Sequence, residues 1–324
     1  MITRLFGATD VAVPVIGQGT WHMGESRRTE RAEVAALRLG LELGLTHIDT
    51  AEMYGDGGAE RIVAQAIKGH PRDALFIVTK VLPSNASYAG TIKACEQSLK
   101  RLGTGHVDVY LVHWWSGQHP IADTMRAMET LVKRGLTRFV GVSNFDVAQM
   151  RQAQAALGSA RLACNQMLYH LRDRAIERDL LPHCEREKVA IVGYTPLARG
   201  GFMRDEVVEI AKARGRTPRQ VALNFLSRRA PLFTIPKGAS PSTCGRTPGP
   251  STSRCRRRSS ERSIGRSSPA RGCGPSRRRR DGHRARAYDL AEYQLEHRVI
   301  ERVQQVQHQA RHDTDHQAIQ RHNR

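Results

Sequence analysis

Two hydrophobic periods alternate along the chain. Short strand-like apolar runs fall at 15–17, 46–51, 75–81, 107–114, 139–143, 162–168, 189–194 and 232–235. Between them, 31–43, 60–68, 92–102, 121–134, 147–157 and 218–229 carry apolar residues at helical spacing. Thr29 and Asp146 stand where N-caps belong, and Gly44, Gly69, Gly103 and Gly135 where C-caps belong. Residues 1–16 read as a short hairpin turning near Gly7-Ala8-Thr9-Asp10. Eight strands alternating with helices predict parallel βα units and a (β/α)8 TIM barrel with an N-terminal β-hairpin. A doubly wound open sheet is the alternative. It is weakened because Gly17-Gln18-Gly19-Thr20-Trp21, after the first strand, lacks the GxGxxG dinucleotide fingerprint.

In a barrel, chemistry comes from the C-terminal ends of strands. Asp49, Lys80 and His113 close three successive apolar runs, and Tyr54 follows Asp49 in the next loop. An isolated Asp or Lys at a strand end is more often structural, and His113 beside Trp114 could be a satisfied core histidine. All four in order at strand ends outweigh those readings. Together they can protonate a carbonyl oxygen. Side chains cannot donate hydride, so a nicotinamide cofactor is implied. Tyr54 is the natural proton donor, because a nearby cation such as Lys80 makes a phenol a better acid. Asp49 would hold Lys80, and His113 would orient the substrate oxygen.

Charge adds little to that picture. The formal net charge is +20, but residues 241–324 hold 19 arginines, no lysine and 8 acidic residues, so over half of the excess sits in the last quarter. A basic surface attracts phosphorylated small molecules as well as nucleic acid. The six cysteines form no CxxC pair, which reads as reduced thiols. No apolar run has transmembrane length and no signal-peptide core follows Met1, so a cytoplasmic protein is expected.

At the four polar residues the sequence resembles the aldo-keto reductase family. Residues 40–55, ending Asp49-Thr50-Ala51-Glu52-Met53-Tyr54-Gly55, look like its first signature, and Arg138-Phe139-Val140-Gly141-Val142-Ser143-Asn144-Phe145 like another. Residues 193–200 and Ile235-Pro236-Lys237-Gly238-Ala239-Ser240 look like its cofactor segments. The opening at 17–24 resembles bacterial, methylglyoxal-reductase-like members. The likeness runs from about residue 3 to 240. It implies that Asp49, Tyr54, Lys80 and His113 are the catalytic tetrad, and that Ser143, Asn144 and Gln166 hold the nicotinamide amide. Tyr194 would stack on the nicotinamide, with Thr195, Pro196, Leu197 and Arg199 along the pyrophosphate. Gly19, Thr20, Trp21, Asp49, Ile235, Pro236, Gly238 and Ser240 would also face the cofactor. Lys237 near the adenosine ribose favours NADPH over NADH. Trp21, Tyr54, His113 and Trp114 would line the pocket of a small aldehyde, 2-oxoaldehyde or ketone. The implied protein is a monomer with no metal and no specific nucleic-acid or membrane partner.

The resemblance breaks after Ser240, where the family expects a helix gripping the adenosine through an Arg…Glu-Asn pattern. Pro241, Gly245, Pro248, Gly249 and Pro250 oppose a helix, and the Arg-, Ser- and Gly-rich segment to Arg286 reads as disordered. Joining the last base of each codon to the first two of the next allows the run Glu-His-Val-Arg-Glu-Asn-Ala-Gly-Ala-Leu-Asp-Phe, which restores the missing pattern. Residues 1–240 are therefore read as the barrel domain, incomplete at its end, and 241–324 as a frameshifted low-complexity tail with a possible isolated helix over 288–311. Arg277–Arg280 as a nucleic-acid site, and His308, His312, His316 and His322 as a metal site, are weaker readings of the same tail. A barrel that has lost catalysis, or a nucleic-acid binder using the tail, are the competing functions.

Overall fold

The computed structural model describes residues 2–237. The tail expectations, along with Gly238 and Ser240, lie outside the described residues. The chain opens with an antiparallel hairpin of β1 (Thr3–Leu5) and β2 (Ala12–Pro14). Its turn carries Phe6 beneath the barrel. Phe6 is fully buried, with ring centroids 4.8 Å from Phe76 and 5.0 Å from Phe233, and it meets His47 edge-on at 6.0 Å. Burying such a ring contributes about 1.5–3 kcal/mol. Gly7 lets the turn approach that closely: its φ is +62°, and a Cβ there would lie 2.3 Å from the Ala163 carbonyl oxygen.

Eight parallel strands follow: β3 (Gln18–Gly19), β4 (His47–Asp49), β5 (Phe76–Val81), β6 (Val107–Val112), β7 (Thr137–Ser143), β8 (Leu162–Leu168), β9 (Ala190–Tyr194) and β10 (Leu232–Thr234). They pair in chain order. The circle closes where Ile16 bridges Thr234 and Gly19 bridges Lys237, with Gly17 N donating to Thr234 O at 2.8 Å and Thr234 N to Val15 O at 2.9 Å. The barrel expectation holds. The first strand sits slightly later than its apolar run, because Val15 and Ile16 serve the closing seam.

The outer layer comprises α1 (Glu30–Glu42), α2 (Gly58–Ile67), α3 (Tyr88–Leu102), α4 (Ile121–Lys133), α5 (Val147–Ala156), α6 (Leu180–Glu187), α7 (Asp205–Ala213) and α8 (Pro218–Leu226). Asp146 caps α5 in a reciprocal box with Gln149, as its side chain suggested. Thr29 does not cap α1; its hydroxyl donates back to the Ser26 carbonyl at 3.1 Å. Helices α6 and α7 escaped the periodic pattern. Pro182 disguises α6, although a proline in the first turn forfeits no helical hydrogen bond. α7 buries only Val207 and Ala211 and leaves Ile210 exposed. Among the described residues, no helix is long and apolar enough to cross a membrane.

Two apolar layers result. One lies between strands and helices and includes Ile48, Ile77, Tyr110 and Val140. The other fills the barrel and includes Phe76, Val78, Val109, Leu111, Cys164, Val192 and Phe233. Side chains alternate along a strand, so the inward rows are His47/Asp49, Phe76/Val78/Lys80, Cys164/Gln166 and Ala190/Val192/Tyr194. Each row is apolar or neutral at the floor and polar at the C-terminal mouth.

His47 sits in that floor, fully buried beside Phe6 and Phe76. Burial pushes its pKa down to about 4, against the pull of the Asp49 carboxylate and the Pro14 carbonyl toward protonation. The unfolded chain takes up the proton near pH 6.5, and the native state only near 4. The stability that neutral His47 confers is therefore complete above about pH 6.5 and lost as pH falls toward 4, by about 3 kcal/mol. His47→Gln should lose that much less stability over the same window in urea titrations. Equal losses in wild type and variant would refute the assignment.

Candidate functional site

The mouth of the barrel collects polar groups from six strands. Asp49 ends β4, Lys80 is the penultimate residue of β5, and His113 follows β6 directly. Ser143 ends β7, Gln166 lies in β8, and Tyr194 ends β9. Tyr54 enters from the loop after β4, where its N–H donates to Ala51 O at 3.1 Å.

Lys80 is the hub. Its ammonium is fully buried and donates to Asp49 Oδ1 at 2.6 Å, Thr50 O at 2.8 Å and Tyr54 Oη at 3.3 Å. Three protons meet three acceptors, which is the full capacity of the group. The second Asp49 oxygen accepts from Gln166 Nε2 at 2.7 Å. Burial pulls the Lys80 pKa below its usual value, and the Asp49 carboxylate opposes that pull. The Tyr54 ring meets Trp21 edge-on at 4.7 Å and His113 at 5.6 Å, and His113 meets Trp114 at 4.9 Å. Burial, and then the nearby Lys80 charge, push the His113 pKa well below its ordinary value. The imidazole is therefore neutral near pH 7 and can offer one N–H without carrying charge.

A second network runs along β7 to β9. Ser143 Oγ donates to Gln166 O at 3.0 Å, Asn144 Nδ2 to Ser143 Oγ at 3.2 Å and to His113 O at 3.3 Å, and Tyr194 Oη to Asn144 Oδ1 at 2.9 Å. Asn144 makes these contacts with a left-handed backbone, φ +59°. Such strain in a non-glycine residue is held by its surroundings and clusters at functional sites. Thr195, Ala198 and Arg199 share positive φ, at +52°, +43° and +48°, in the loop after β9. Left-handed turns of this kind aim successive N–H groups at one point, which suits an anion such as a pyrophosphate. Lys237 reaches across the mouth, where its Nζ donates to His22 O at 3.2 Å. The indole N–H of Trp21 and Nδ1 of His113 are buried with no hydrogen-bond partner among the described residues. Unpaired polar atoms beside Tyr54 are what a site for a polar ligand leaves open.

The structure thus brings Asp49, Tyr54, Lys80, His113 and Gln166 together, with Ser143, Asn144 and Tyr194 alongside. Thr20 donates its hydroxyl to Asp49 O at 2.9 Å and so steadies the strand end. Pro196, Leu197, Ile235 and Pro236 border the same mouth through the loops after β9 and β10. Sequence reading missed Glu52, whose Oε1 accepts from Leu82 N at 2.6 Å and Asn85 Nδ2 at 3.1 Å. It joins the Tyr54 loop to the loop after Lys80. Nothing local marks such a contact, because its partners are about thirty residues away.

Known proteins resemble this chain in sequence and fold. The sequence profile of the aldo/keto reductase family matches residues 15–245. Methylglyoxal reductase YeaE of Escherichia coli (strain K12) is 47% identical over 236 residues, covering 71% of this chain and 82% of that protein. Two crystal structures of aldo/keto reductases from Klebsiella pneumoniae superpose well. The one in complex with NADP and acetate has a TM-score of 0.70 at 46% identity, covering 75% of this chain and 87% of the other. The one in complex with NADPH has a TM-score of 0.71 at 44% identity, covering 76% and 88%.

The buried Asp49–Lys80 pair carries a direct energetic expectation. Removing one partner strands the other charge in the barrel, so Asp49→Asn or Lys80→Met should each cost about 3–5 kcal/mol. The double variant should cost clearly less than the sum, since it strands nothing. Urea unfolding of the four proteins checks this, and strictly additive losses would show that the pair is not coupled.

Proposed function

The chain belongs to the aldo/keto reductase family, and we propose that it reduces the aldehyde of small 2-oxoaldehydes such as methylglyoxal with NADPH, using Tyr54 as proton donor. One observation carries this reading: Lys80 links Asp49 at 2.6 Å to the Tyr54 hydroxyl at 3.3 Å within one buried cluster. A carbonyl oxygen lodged between Tyr54 and His113 would accept the phenolic proton as it gains negative charge. The Lys80 ammonium stabilises the phenolate left behind, and Asp49 keeps the ammonium in place. His113, neutral and beside the Tyr54 ring, offers an N–H to the same oxygen and favours the charge that develops there. Trp21 and Trp114 supply apolar walls that exclude water.

The residues present suit a nicotinamide dinucleotide. Ser143, Asn144 and Gln166 offer amide and hydroxyl groups for the carboxamide, and Tyr194 offers a ring for stacking. The left-handed turn at Thr195–Arg199 and the Lys237 ammonium suit phosphates, which favours NADPH. When bound, that cofactor supplies the hydride that no side chain can. The methylglyoxal assignment draws on the 47% identical reductase.

Tyr54→Phe should retain NADPH binding, read by tryptophan fluorescence, and lose about 10²-fold or more in methylglyoxal turnover. Wild-type turnover in that variant would refute the donor assignment. Because burial keeps His113 neutral near pH 7, kcat around neutral pH should show no limb that His113→Gln removes. A limb abolished by that substitution would count against its role as a neutral donor.

The altered segment after residue 240 favours a second reading, in which the adenosine grip is lost. Replacing residues 241 onward with the shifted-frame translation should then tighten NADPH binding by about tenfold or more, since each restored charged hydrogen bond is worth about 1.5–3 kcal/mol. Equal affinity in both forms would show that the segment as written is tolerated.

A further inference from the structure

Outside the barrel wall, directly behind Tyr54 and Lys80, lies a buried carboxylate that the reaction does not use. Glu60, in the first turn of α2, is fully buried. Its Oε1 accepts from Thr79 Oγ1 at 2.7 Å, and its Oε2 from Arg101 Nε on α3 at 2.5 Å. Thr79 immediately precedes Lys80 on β5. Alternation along the strand points Thr79 outward to the helices and Lys80 inward to the site. The other end of the connection is the turn that carries Tyr54. There Ala59 N donates to Tyr54 O at 3.1 Å, and Gly58 N to Gly55 O at 2.7 Å. Glu60 is the next residue along. It therefore ties the neighbour of Lys80 to the turn that fixes the Tyr54 main chain.

Arg101 closes the arrangement. Its Nη2 donates to Ser98 Oγ at 3.1 Å, and its side chain occupies the space beside Gly57 that a Cβ would take. Gly57 has φ +74°, and a Cβ there would lie 2.3 Å from Arg101 Cδ. The chain three residues after Tyr54 thus runs close against the Arg101 side chain, whose own partner is Glu60. Replacing a buried ion pair by apolar packing is often neutral or stabilising, so helix-to-strand attachment alone does not require Glu60 and Arg101 to be charged.

We propose that Thr79, Glu60 and Arg101 form a positioning clamp that sets the distance between the Tyr54 hydroxyl and the Lys80 ammonium. This rests on the reading of Tyr54 as proton donor. None of the three touches the reacting atoms; they act through the Tyr54 turn and the Lys80 strand. A displacement of about 1 Å at the proton donor can cost up to about 10²-fold in rate.

The test compares Arg101→Met, Arg101→Lys and Thr79→Val with Tyr54→Phe, using methylglyoxal and NADPH well below every variant's Tm. Arg101→Met should lower kcat by about ten- to a hundredfold with the NADPH Kd unchanged. Its solvent deuterium isotope effect should grow, and the effect of deuterated NADPH should shrink, because proton delivery becomes the slower event. Arg101→Lys should recover part of kcat. Thr79→Val, which replaces only an outward hydroxyl, should move in the same direction by a smaller factor and serves if Arg101→Met fails to fold. A lowered Tm with wild-type kcat and isotope effects in both Arg101→Met and Thr79→Val would overturn the clamp. If Tyr54→Phe is inactive while the clamp variants turn over normally, the clamp alone falls. If Tyr54→Phe retains turnover, the donor reading falls and the clamp with it.

Discussion

A charged ammonium held in the dry interior of a barrel is the constraint on which the rest of this structure depends. Lys80 is fully buried and Asp49 nearly so. Charges removed from water cost several kcal/mol each unless their partners are complete. Here they are complete: every proton of the ammonium has an acceptor, and each carboxylate oxygen has a donor. Four elements must be in register for this to hold, because the partners come from β4, β5, β8 and the Tyr54 loop. The ion pair is thus satisfied only by the closed fold, and the same ammonium reaches the Tyr54 hydroxyl at 3.3 Å.

The strand period explains how one fold separates stability from chemistry. A two-residue repeat puts His47 and Asp49 in one inward row, and Phe76, Val78 and Lys80 in another. Moving four or so residues along a strand carries the interior from a ring-packed floor to a polar mouth. The same repeat turns Thr79 and Ile77 outward, where they meet helices. A single-residue slip in β5 would exchange Lys80 for Thr79 or Val81 at the mouth and bury the ammonium against α2.

Much of this was readable in the sequence, for physical reasons. Strand ends carry barrel chemistry, so Asp49, Lys80 and His113 stood out by position alone, and Tyr54 by its closeness to Asp49. Asp146 was legible as a cap because its partner Gln149 is three residues away. What was hidden depends on distance in sequence. Gln166 meets Asp49 across 117 residues. Glu52 and Glu60 look like ordinary solvent-facing acids until β5 and α3 pack against them. Thr29 failed as a cap because Ser26 offered its hydroxyl a nearer carbonyl. α7 went unseen because half of its apolar face is open in the described residues.

The floor of the barrel has its own consequence. Phe6 packs at the end opposite the polar mouth, against Phe76, Phe233 and His47. Between it and Lys80 lie the neutral imidazole of His47 and apolar side chains such as Val78, Val109 and Val192. Among the described residues that end is closed by packed rings, so a small molecule would reach the cluster from the mouth. If Tyr54 gives up a proton, as proposed, its replacement would come from the same side on which reactants arrive and products depart. Recharging the phenol and emptying the site then compete for one passage, and the order of those traffic events is set by architecture before any chemistry begins.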